Sequence, residues 1–141
     1  MPGSYTILPA ARFVYTRGWG VVTDEQLHAH AIALRADPRF QPAFAQLADL
    51  RDVSDIQITS AGIRTMPLLN PFGKGARRAF VTPNTTAFGL ARMYELMKQD
   101  DDDQLMVVRE ISDALKWLGE RAPAGWQQIP PLEADWTSAE G

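Results

Sequence analysis

Two β-prone runs, 5–8 and 12–16, open the chain and are separated by Pro9-Ala10, which predicts an N-terminal hairpin or a bent pair of strands. The Gly-Trp-Gly at 18–20 then predicts a turn. Thr23-Asp-Glu-Gln26 has the form of a capping box, with Leu27, Ala31 and Leu34 at helical spacing behind it and Asp37-Pro38 as the stop. The apolar run 44–50 reads as a buried central strand ending at Asp49 or Leu50. Thr59 or Ser60 is placed to cap a helix whose inward positions are Ile63, Met66 and Leu69, with Pro67 limiting its regularity. A loop at 70–75 leads to a strand at 78–82, bounded by Pro83.

Asn84 caps the strongest helical pattern, running to about Gln99, with Ala87, Leu90, Tyr94 and Met97 on one face. Four aspartates at 100–103 predict a solvated turn, 105–108 a strand, and Ser112 the cap of a last helix carrying Ala114, Leu115 and Leu118. The order is β-β-α-β-α-β-α-β-α. Strands alternating with helices at this spacing imply right-handed crossovers and a mainly parallel sheet, hence an α/β fold of four or five strands and about four helices. Periodicity is lost late in the chain, which divides it into a domain at 1–122 and an irregular tail at 123–141 pinned by Trp126 or Trp136.

Composition narrows the class. With 141 residues the chain can bury one good core, and with 45% hydrophobic and 22% charged residues it has an ordinary globular make-up. A net charge of −3, from 14 basic and 17 acidic residues, offers no cationic stretch for a phosphate backbone, so nucleic acid is not an expected partner. No run approaches a membrane span and the first residues lack a signal-peptide pattern, which makes the cytoplasm the expected location. The absence of cysteine removes disulfides, thiol chemistry and thiolate metal sites.

Candidate chemistry is sparse. His28 and His30 lie two apart on a helix and point to nearly opposite sides, so they do not chelate together, and His30 is expected to pack beside Leu27 and Leu34. The aspartate run lacks the glycine and later glutamate of a calcium loop. Gly73-Lys-Gly-Ala-Arg-Arg78 precedes a strand instead of following one, so it is no phosphate cradle, although Arg77 and Arg78 could form an anion-binding edge. Phe88, Arg92, Glu95 and Gln99 share a second face of the long helix, either as Arg92 stacked on Phe88 and paired to Glu95 or as an anchor for a partner. Thr59 and Ser60, at a helix start beyond a strand end, either cap the helix or offer a place where phosphate would sit on its electropositive tip.

The stretch Asp49-Leu-Arg-Asp-Val53 through Ser60-Ala-Gly-Ile63, with the element order, resembles the STAS domain of anti-sigma-factor antagonists, the SpoIIAA-like fold. The segments 77–95 and 114–118 resemble an uncharacterised bacterial branch of such proteins, the likeness spanning most of 5–120. In that family a kinase phosphorylates a serine at a helix start; carried over, Ser60 takes the acceptor's place, Ala61 the second serine's, Gly62 the glycine's and Ile63 the leucine's. This chain has two more residues between Val53 and Ser60, and Thr59 where the family has aspartate.

The resulting expectation is a non-enzymatic regulatory or protein-interaction module, engaging a protein partner through Thr59, Ser60, Gly62, Phe88 and Arg92, without metal, cofactor or catalytic residues. Homodimerisation stays open. The alternative is a small-ligand protein holding an apolar or anionic molecule at the strand carboxyl ends, near Ser54, Ser60, Pro83 and Asn84. A hydrolase or transferase would need Asp49, Asp52 or Asp55 to carry a perturbed pKa in a dry cleft.

Overall fold

A computed structural model describes residues 3–98, 103–128 and 134–135. Strand β1 (Gly3–Leu8) forms an antiparallel hairpin with β2 (Phe13–Thr23). Helix α1 (Asp24–Ala36) leads to β3 (Ala45–Gln57), α2 (Ser60–Leu69) to β4 (Arg77–Val81), α3 (Thr85–Met97) to β5 (Gln104–Val108), and α4 (Ile111–Leu118) follows. The sheet order is β5-β4-β3-β2-β1-β6, where β6 is the two-residue Ala134–Asp135. Strands β2 to β5 are parallel, β1 is antiparallel to β2, and β6 is antiparallel to β1. The α/β class, the element order and the mainly parallel sheet are those expected from the sequence.

Local signals explain the helix starts. Thr23 and Gln26 form the full capping box, at 3.3 Å and 3.1 Å, and Asn84 accepts from the Ala87 amide at 3.0 Å. Thr59, not Ser60, caps α2 through the Gly62 amide, and Pro67 is accommodated inside that helix. Glu110 instead of Ser112 stands at the start of α4.

Two expectations fail at the same place. Gly18-Trp-Gly20 does not turn the chain, and β3 does not end near Leu50. Among the described residues β1 pairs with β2 only to Gly18 and β4 pairs with β3 only to Asp49, but β2 and β3 run on together from Trp19↔Asp52 to Thr23↔Gln57. Each strand supplies the other's backbone partners along one edge, so this end of the sheet is a two-stranded ribbon. Gly20, with φ 65°, serves a register shift within it.

Alternation sorts the side chains to two faces. Phe13, Tyr15, Leu47, Ala79 and Val81 meet Ala114 and Leu118 of α4, along with Trp126, whose ring lies 5.9 Å from that of Tyr15. Trp126 and β6 lie within the stretch expected to be an irregular tail; Trp136 is outside the described residues. Val14, Thr16, Gln46, Ala48, Arg78 and Phe80 face α1, α2 and α3. Of the four aspartates expected in a solvated turn only Asp103 is described, and it is 4% exposed. Gln99, on the expected second face of α3, is outside the described residues.

Candidate functional site

Helix α2 packs chiefly on α1 and α3 rather than on the sheet, and beneath it lies a cavity of about 80 Å³. Its walls are Leu27 and Leu34 of α1, Ile63 and Met66 of α2, Leu90 of α3, and Val53, Ile56 and Phe80 of the sheet. Alanines face it from three elements: Ala31 on α1, Ala48 on β3, Ala87 and Ala91 on α3. Methyl groups where larger side chains would interdigitate leave the space unfilled.

One side of the cavity is polar. Arg78 Nε donates to Gln46 Oε1 at 3.0 Å, Gln46 Nε2 donates to Thr16 Oγ1 at 2.9 Å, and Thr16 Oγ1 lies 3.2 Å from His30 Nε2. Arg78 Nη1 reaches Asn70 Oδ1, the Tyr94 hydroxyl and Asp103 Oδ2, and Asp103 also pairs with Lys98 Nζ at 3.0 Å. The rings of Phe72, Phe80 and Tyr94 surround the guanidinium at 4.3, 5.2 and 5.9 Å. Burial works against the Arg78 charge, but the Tyr94 oxygen and the Asp103 carboxylate outweigh it, so Arg78 stays cationic. Burial, reinforced by Arg78, lowers the His30 pKa to about 3, which keeps the imidazole neutral.

The start of α2 is clasped from outside the cavity. Asp24 Oδ1 accepts from the Thr59 amide at 2.9 Å and Oδ2 from the Thr59 hydroxyl at 2.7 Å, while His28 Nε2 donates to the Gly62 carbonyl at 3.0 Å. The Asp24 carboxylate lies so close over Gly62 that a Cβ there would overlap it. The electropositive tip of α2 is therefore already occupied by a carboxylate of the chain itself. Ser60 is exposed beside it, at the first residue of the helix.

The remaining expected residues fall elsewhere. Arg92 pairs with Glu95 at 2.7 Å, but the cation over Phe88 is Arg109, 4.2 Å from the ring centre, so Arg92 does not stack there. Arg77 and Arg78 do not share an edge: strand alternation sends them to opposite faces. Arg77 donates to the Trp117 carbonyl and lies over its indole, whereas Arg78 is buried in the polar row. Ser54, Ser60, Pro83 and Asn84 do not line the cavity, because the helices overlie the sheet and the space lies beneath them instead of at the strand tips. Asp49 accepts two bonds from the Arg51 side chain and one from the Tyr15 hydroxyl; burial would raise its pKa, but Arg51 and Tyr15 outweigh that and hold it below the usual carboxylate range. Asp52 pairs with Arg17 and Asp55 is exposed. Among the described residues no group of three or more metal-ligating side chains is assembled, and no helix is long and apolar enough to cross a membrane.

No family model and no curated protein matches the chain. Among solved structures the chain is similar to an uncharacterized protein from the DUF3478 family with a SpoIIAA-like fold, from Shewanella loihica PV-4. The match has 15% identity, covers 75% of this chain and 83% of that one, and has a TM-score of 0.47. The fold named for that protein is the one the sequence resemblance implies. At this distance nothing about the site carries over from it.

Gln46, Thr16 and Lys98 were not singled out from the sequence, Tyr94 figures there only as a position on one face of the long helix, and Asp103 only as part of the aspartate turn. A signal existed for Gln46, a polar residue inside the apolar run 44–50, since a buried strand admits such a side chain only where a partner waits. Asp103 and Lys98 carried none, because charged residues near a turn ordinarily face water.

Proposed function

We propose that the protein binds a small molecule in the cavity under α2, a body of a few apolar atoms with a polar end toward Gln46 and Arg78. The supporting observation is the combination of unfilled apolar space with a fixed row of buried polar groups along one side. Binding sites have this build: apolar walls supply affinity and a few placed polar groups set orientation. A partner surface at Thr59, Ser60 and Gly62, with Phe88 and Arg92, has less to support it, since Thr59 is engaged by Asp24, Phe88 by Arg109 and Arg92 by Glu95.

Methyl-detected NMR with cyclopentane tests the reading. Saturable shifts should appear at Ile63, Met66 and Leu90 and vanish in Ala91→Leu, whose side chain fills the space. Shifts that never saturate, or that persist unchanged in that variant, would overturn it.

A further inference from the structure

Among the described residues the polar row beside the cavity carries more positive than negative charge. Arg78 and Lys98, 4% and 3% exposed, share one carboxylate, Asp103, at 3.0 Å each. Among the described residues no second carboxylate joins them: Glu95, also on α3, accepts from Arg92 and from the Val107 amide. Among the described residues the buried cluster thus holds a formal excess of one positive charge, which the faces of Phe72, Phe80 and Tyr94 offset only in part.

The donors are in excess as well. Arg78 spends Nε on Gln46 and Nη1 on Asn70, Tyr94 and Asp103, while Nη2 makes no hydrogen bond among the described residues. The Tyr94 oxygen accepts from Arg78, and its own hydrogen has no acceptor among them. Both side chains line the cavity. One unmatched charge and two unspent donors beside an apolar space describe the complement of a carboxylate with a short alkyl body.

Building on the cavity reading, we propose that the ligand is a small monocarboxylate, its oxygens accepting from Arg78 Nη2 and the Tyr94 hydroxyl and its carbon chain among Ile63, Met66 and Leu90. A space of about 80 Å³ is roughly half of the ~150 Å³ that takes benzene, which sets the size below benzene's, at about three to five heavy atoms. A second carboxylate on the same molecule would lie against apolar walls with no cation, so dicarboxylates are rejected.

Propionate, propionamide and 1-propanol, nearly equal in shape and differing in charge, test this by NMR titration of the wild-type protein near neutral pH. Propionate should bind at least about tenfold more tightly than propionamide, moving the Ile63 and Met66 methyls and the Arg78 Nε resonance together. Lys98→Met, which removes the excess charge, should reduce that preference to below about threefold while leaving propionamide binding unchanged. If the neutral probes bind and propionate binds no better, the carboxylate assignment falls and the cavity reading stands. If none of the three perturbs those methyls, both fall. A propionate preference undiminished in Lys98→Met would place the carboxylate elsewhere and overturn the assignment.

Discussion

The two faces of the sheet solve the same packing problem differently. Toward α4, Phe13, Leu47, Ala79 and Val81 are each 0% exposed and meet one short helix and an indole, and the polar cluster on that side, Asp49 with Arg51 and Tyr15, sits where Arg51 can still reach water. Toward α1, α2 and α3, three helices cover the strands yet leave a cavity, and the cations Arg78 and Lys98 are held where water does not reach. More covering helices have not produced a denser core. The first face is organised for stability, and the second gives up some apolar packing to hold polar groups in fixed positions.

Acid should separate the two faces most strongly. His30 is kept neutral down to about pH 3, whereas an unfolded histidine takes up a proton near 6.5, so unfolding binds a proton throughout that window. Its contribution is complete above the unfolded value and is lost as pH falls toward the folded one, a span of several kcal/mol. Asp49, with its folded pKa also depressed, contributes above the unfolded carboxylate value and is lost only as pH falls below that, so its limb begins later. Urea unfolding at about pH 7, 5 and 3 should show both limbs, with His30→Gln flattening the early one and Asp49→Asn the late one. Full stability retained at about pH 5 would contradict the burial of His30.

Asp103→Ala, which leaves Arg78 and Lys98 buried without a counter-charge, should cost about 3–5 kcal/mol in chemical denaturation. The next pair has opposite signs. Leu47→Ala on the filled face should lose about 3 kcal/mol, while Ala91→Leu on the other should gain up to about 2 kcal/mol by occupying the space. A substantial loss from Ala91→Leu would mean that the helices close over the sheet more tightly than described. The smallest effect is expected outside both faces: Gly62→Ala, by pushing the Asp24 carboxylate off the start of α2, should cost about 1 kcal/mol, read as a small drop in Tm.

The filled face was largely legible in the sequence. The β-prone run 12–16, the apolar run 44–50 and the spacing of Ala114 and Leu118 are local signals that the tertiary structure obeys. The other face was not, because its character depends on partners distant in sequence. On the sequence Arg78 is a candidate for an anion-binding edge with Arg77, and only the approach of Asp103 and Tyr94 makes burying it feasible. The ribbon at 19–23 and 50–57 was hidden for a related reason: Gly18-Trp-Gly20 has the composition of a turn, and Asp52 and Asp55 that of a loop, until each strand finds the other. Phe88 similarly takes its cation from Arg109 rather than from the neighbour one helical turn away.

The row from Arg78 to His30 also has a direction. A guanidinium has no lone pair to offer, so Gln46 must turn its oxygen toward Arg78, which aims its NH2 at Thr16. Thr16 Oγ1 accepts that bond and lies 3.2 Å from His30 Nε2, where it gives its hydrogen to the ring in one tautomer and takes the ring's in the other. One arginine thereby dictates an amide's orientation on the neighbouring strand, and the nitrogen chemical shifts of His30 would report which way the row continues from there.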